Sequence, residues 1–207
     1  MIEFPETTSL HRRIPKEAFY KHLNISTALK EKFISDVESI FVENSLTMNS
    51  LRLTQESDVS EILLLSITLR KQNFDGKIIE AIAGQNAHKL IFLLSFGEKR
   101  QLALFHGKIY RSQWGSENEI SLSAQGFSLK EIWDGFIEQI ALTENVSDSL
   151  TIDQRLGLQE RIVRLKNLIQ RTEAAIWREK QPKKRFILHQ NLLRYKKELE
   201  DLKLGKS

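Results

Sequence analysis

The 207-residue sequence predicts an α+β fold: a mostly antiparallel sheet with flanking helices, followed by a long C-terminal antiparallel helical hairpin of coiled-coil character. Three observations predict it. Capped amphipathic stretches alternate with apolar runs of strand length through the first two thirds of the chain. The last third instead carries a sustained heptad spacing. Charge divides at the same place: residues 151–207 hold 15 Lys or Arg against 7 Asp or Glu, a net of +8, while residues 1–150 carry a net of −4. The resulting layout is an α+β domain over 1–145, a polar linker over 146–152 beginning in Asn145-Val-Ser-Asp-Ser-Leu-Thr, and a hairpin over 153–205.

Residues 1–13 read as an extended arm. Pro15 suits the first position of a short helix ending at His22 or Leu23. Ser26 is an N-cap candidate, and Leu29, Phe33, Val37, Ile40 and Phe41 then form a stripe that predicts a helix to about Glu43. Leu46–Leu53 is expected as a strand. Val59–Leu69 is a stronger one, apolar on both faces and therefore central, with sheet order left open. A helix is expected over Phe74–Ala83, closed by Gly84. Strands Lys89–Phe96 and Gln101–Phe105 form a hairpin through Gly97-Glu98-Lys99-Arg100, and His106-Gly107 turns into a short strand, Lys108–Arg111. Ser128-x-x-Glu131 is a capping box ahead of Ile132, Trp133, Phe136 and Ile137, which places a helix over Ser128–Leu142.

In the last third, Leu158, Ile162, Leu165, Ile169, Thr172 and Ile176 are spaced 4, 3, 4, 3, 4. Pro182 interrupts the pattern, and Leu188, Leu192, Tyr195, Leu199 and Leu202 resume it. The short connection makes the two helices antiparallel neighbours. Leu168, Phe186, Ile187 and Leu193 lie beside this seam, so the hairpin is expected either to fold back on the α+β domain or to pair with another chain; a second chain, as in a homodimer through the hairpin, is the favoured cover.

Catalytic signatures fail one by one. The absence of cysteine removes disulfides, thiol catalysis and Cys-based zinc sites, and fits a reducing cytoplasm. No apolar run approaches the length of a membrane span, and the first residues lack the order of a signal peptide. The five histidines (His11, His22, His88, His106 and His189) form no metal-binding spacing; His106 reads as a turn residue and His88 as a strand-edge residue. No glycine-rich phosphate loop or nucleophile elbow occurs, so no cofactor or metal is expected. A divergent Mg²⁺ nuclease would need carboxylates such as Glu38, Asp58 and Glu61 to converge, with Glu43 and Lys71 nearby. The strand Ser66-Ile67-Thr68-Leu69-Arg70 lacks the E-x-K such enzymes use.

Basic residues offer more. Arg155, Arg161, Arg164, Arg171 and Arg178 run along the first long helix, and Lys180, Lys183, Lys184 and Arg185 crowd the tip. Arg164, Arg171, Arg178 and the four tip cations are the candidate nucleic-acid-binding set, as against a plain solvated helix face. Trp177 and Tyr195 have the chemistry to stack on bases, but their place beside the seam predicts packing instead.

Three stretches carry a resemblance: Arg13-Ile-Pro-Lys-Glu-Ala-Phe-Tyr with the helix after it, Lys89-Leu-Ile-Phe-Leu-Leu-Ser-Phe, and Lys180-Gln-Pro-Lys-Lys-Arg through Leu202. Together they resemble the bacterial family called domain of unknown function 4391, over roughly residues 5–205. The resemblance implies an accessory role beside helicases and DNA methyltransferases in restriction or phage-defence systems, and transfers no catalytic residue. The leading expectation is therefore a non-enzymatic adaptor binding protein partners through the α+β domain and the hairpin seam. A nucleic-acid-binding hairpin is the second reading and the Mg²⁺ nuclease the third.

Overall fold

The computed structural model describes residues 2–143 and 150–203, apart from the side chains of residues 20–22 and 203. It divides into two compact units, residues 1–141 and 142–207. Residues 146–149 of the expected linker lie outside the described residues.

The first unit is built on a seven-stranded sheet. Its strands are β2 (Ser9–Ile14), β3 (Val37–Thr47), β4 (Glu61–Leu69), β5 (Lys89–Phe96), β6 (Lys99–His106), β7 (Lys108–Arg111) and the short β8 (Gly115–Ser116). They follow the order β2-β3-β4-β5-β6-β7, with β8 added alongside β6. Within the sheet only β4 and β5 are parallel, joined by the helix α3 (Lys77–Gly84); every other pairing is antiparallel. A parallel neighbour needs a crossover, and α3 supplies it. Gly97 and Gly107 take φ of +55° and +68° in the two tight turns, where a side chain would be strained. A separate parallel pair joins β1 (Ile2–Glu3) to β9 (Leu122–Ser123).

Helices cover both sheet faces. Leu65, Ile67, Leu69, Leu90, Phe92 and Leu94 face a core completed by Phe33 of α2 (Thr27–Asp36), by Ile78, Ile79 and Ile82 of α3, and by Phe19 of α1 (Lys16–His22). The alternate residues Ile62, Leu64, Ile91, Leu102 and Leu104 are buried on the other face. There α4 (Leu129–Ala141) packs against β4, β6 and β7, burying Ile132, Trp133, Phe136, Ile137 and Ile140.

Five expectations need correction. The helix predicted to Glu43 stops at Asp36, and Val37, Ile40 and Phe41 belong to β3. Register shifts at Val37/Ser39 and Val42/Asn44 each insert a residue, so a two-residue alternation reads as helical spacing in the sequence. The strand expected over Leu46–Leu53 ends at Thr47, where Ser50 and Thr47 bond each other in a turn. The N-terminal arm is ordered into β1, a 3₁₀ turn and β2 because β2 pairs with β3. The helix expected from Phe74 starts at Lys77; Phe74 is buried before it, and Gly84 is its last residue. The capping box ahead of α4 is offset by one residue: Ser128 Oγ accepts from Glu131 N, while the Glu131 carboxylate accepts from Phe127 N.

The second unit is the helical hairpin, α5 (Ile152–Arg178) and α6 (Pro182–Lys203). Thr151 and Gln154 cap α5 reciprocally. Pro182 opens α6, where its missing N–H costs nothing.

Candidate nucleic-acid interface

The heptad seam packs as spaced. Ile162, Leu165 and Leu202 are buried, with Leu158, Tyr195 and Leu199 packed against them. Leu192 is buried too, and Ile169, Thr172, Ile176 and Leu188 are half-buried toward the tip. Two interhelical ion pairs flank the seam, Arg161–Glu198 and Lys196–Glu173, each at 2.8 Å. They set the register of an antiparallel pair more than its stability, because exposed pairs contribute little.

The expected nucleic-acid-binding residues divide between a row and a tip. Arg164, Arg171 and Arg178 recur every seventh position, which returns to nearly the same side of a helix; the row is about 21 Å long. Lys180 lies in the connection between the helices, and Lys183, Lys184 and Arg185 occupy the first turn of α6. All seven are exposed, and none forms an ion pair among the described residues. Arg155, by contrast, has interaction partners, and Arg161 is bound to Glu198.

Trp177 departs from expectation. Tyr195 packs in the seam, but Trp177 is 89% exposed, in the last turn of α5. Phe186 at 62% and Ile187 at 50% stand exposed on the first turns of α6, with Leu193 further along. Trp177 follows Ile176 directly, and a helix turns about 100° per residue, so a seam residue's neighbour is carried off the seam.

The carboxylates weighed for metal chemistry are placed separately. Glu38 and Asp58 are exposed, and no group of three or more His, Asp or Glu able to hold a metal occurs among the described residues. Glu43 instead accepts from Ser66 Oγ and lies 2.7 Å from His11 Nδ1. Glu61 accepts from Ser45 Oγ, and His88 Nδ1 lies 3.3 Å away. These contacts join residues far apart in the sequence and leave no spacing for sequence reasoning to find. His11 stacks on Phe41 at φ +41°, a bulge in edge strand β2 that interrupts the edge against further strand addition.

Another cluster was missed for the same reason. The Asp36 side chain is 1% exposed, with Lys71 Nζ at 2.7 Å and Ser35 Oγ donating at 2.6 Å to its Oδ1. Burial pushes its pKa up, but the bonds from Lys71 and Ser35 outweigh this and hold it below the ordinary 3.8. An acid whose folded pKa is depressed contributes stability above its unfolded value and loses it as pH falls toward the folded one. Acid unfolding of Asp36→Asn should therefore show a shallower loss of stability below about pH 4 than the unaltered chain. Lys71→Met, which leaves the carboxylate buried without its cation, should cost about 2 kcal/mol near neutral pH by urea unfolding.

Comparison with known proteins adds one assignment. No curated protein and no solved structure shows significant similarity to the chain. One family model, described as "Domain of unknown function (DUF4391)", matches residues 2–199, nearly the whole length, and the chain belongs to that family.

Proposed function

We propose that this protein is a non-enzymatic accessory protein that acts by binding, with the α+β unit holding a protein partner and the hairpin presenting a second contact surface. The observation that supports this best is the hairpin tip, where exposed Trp177 and Phe186 stand among cations that have no ion-pair partner among the described residues. A helical pair whose apolar seam is already satisfied has no structural use for exposed aromatics, and such residues mark recognition surfaces. In this reading the chain works in the bacterial cytoplasm beside a DNA-processing enzyme, a helicase or DNA methyltransferase of a restriction or phage-defence system. That setting comes from the family likeness.

The exposure of Trp177 favours a second reading within the first: the tip meets nucleic acid and the α+β unit meets protein. An affinity pull-down of the full chain from its host, with and without nuclease treatment, tests both. A helicase or methyltransferase should be recovered whether or not nuclease is added. A parallel pull-down with Lys183→Ala, Lys184→Ala and Arg185→Ala combined should keep that protein and lose co-purifying nucleic acid. Recovery of no enzyme of this kind overturns the adaptor reading.

A further inference from the structure

We infer that the hairpin tip is a binding site for single-stranded nucleic acid, with Trp177 and Phe186 stacking on unpaired bases and the cations beside them holding phosphates. The inference rests on the nucleic-acid reading above and deepens it by naming the form of the ligand. Charge comes first. Along the hairpin, Arg161 is neutralised by Glu198 and Lys196 by Glu173, whereas the Arg164, Arg171 and Arg178 row has no ion-pair partner among the described residues. At the tip, Lys180-Gln-Pro-Lys-Lys-Arg carries four cations against the single acid Glu179 before it, whose carboxylate accepts from Gln181 N, and none of the four is ion-paired among the described residues. An uncompensated cluster of this kind calls for a polyanion.

The aromatics then choose among polyanions. A duplex keeps its bases stacked inside and offers the protein phosphates and groove edges, so two exposed rings at a helix tip find no flat partner there. A single strand presents base faces, and stacking on them is tolerant of sequence. An anionic membrane surface also attracts Lys, Trp and Phe. The Arg164, Arg171, Arg178 row, however, runs from the tip back along the rod for about 21 Å. A strand lying along α5 meets that whole row, whereas a bilayer touched by the tip meets only its end.

Fluorescence anisotropy of the full chain with labelled oligothymidine, and with a duplex of equal charge, tests the inference. Oligothymidine should bind at least about tenfold more tightly than duplex. Trp177→Ala should weaken it about tenfold and leave duplex binding unchanged, while Trp177→Phe retains most of the affinity. Combined Lys183→Ala, Lys184→Ala and Arg185→Ala should weaken both ligands and reduce the salt slope on the single strand by about 2. Trp177 is exposed, so its loss leaves the fold intact, and circular dichroism checks that it does. Equal affinity for strand and duplex, or indifference to Trp177→Ala, overturns the single-strand assignment while leaving a nucleic-acid-binding hairpin. Binding to neither oligonucleotide overturns both, as does binding only to phosphatidylserine vesicles or tip-dependent self-association alone.

Discussion

Trp133→Ala should lower the unfolding free energy by about 3–5 kcal/mol, the largest single-residue effect expected in the first unit. Trp133 is 1% exposed on α4, beside Ile132, Phe136 and Ile137, at the face where α4 covers β4 and β6. Truncation removes the bulk of that contact and leaves a cavity which close-packed strands fill poorly. Its indole N–H meets no acceptor among the described residues, while Lys89 Nζ stands 5.7 Å from the ring centroid. The benefit of Trp133 is therefore packing, with its polar atom a cost. Trp133→Phe drops the unsatisfied donor and should lose only about 1–2 kcal/mol. Urea unfolding of the two variants decides the matter: an alanine variant within about 1 kcal/mol of the parent would show that α4 does not seal this face. Against a total stability of roughly 5–15 kcal/mol, the expected loss brings the unit near its threshold.

The second large effect belongs to the hairpin. Ile162→Ala and Leu165→Ala should each cost about 2–4 kcal/mol, enough to melt a unit that buries so few side chains. Ile162, Leu165, Leu192 and Leu202 supply the fully buried part of the seam, and a pair of helices has no third layer to compensate. Since α5 and α6 contain more than half of the helical residues among those described, far-UV circular dichroism should lose a corresponding share of its helix signal at a lower temperature than in the parent chain. Oligonucleotide binding should fall with it, because the cation row has its spacing only on a formed helix. Val163→Ala, exposed on the same turn, should change neither and serves as the control. Retained helicity in Leu165→Ala would mean the hairpin is held by something other than its seam.

Legibility differed by element for reasons that can be named. The seam was readable because its spacing is local: every contact it makes follows from one helix repeating on its neighbour across a short connection. The strands β4, β5 and β6 were readable because their apolar runs are longer than any loop tolerates and too short for buried helices. The boundary at Asp36 was not. Val37 and Ile40 are spaced as a helix would space them, and only the pairing of β3 with β2 and β4, bulges included, turns that spacing into a strand. The candidate site divides the same way. Its cations were visible as a charge run, whereas Trp177 was misjudged because adjacency to a seam in sequence is not adjacency in space.

What the residues determined unaided is thus whatever depends on periodicity and charge along one element: the length of the hairpin helices, their shared seam, the basic tip and the apolar strands. What only the tertiary structure decided is whatever depends on a distant partner. That covers the parallel β4–β5 neighbours inside an otherwise antiparallel sheet, the conversion of residues 37–43 from expected helix to strand, the meeting of His11, Glu43 and Ser66, and the exposure of the Trp177 ring. Backbone donors and acceptors of a strand, unlike those of a helix, are satisfied by residues far along the chain, so their pairing leaves no local trace.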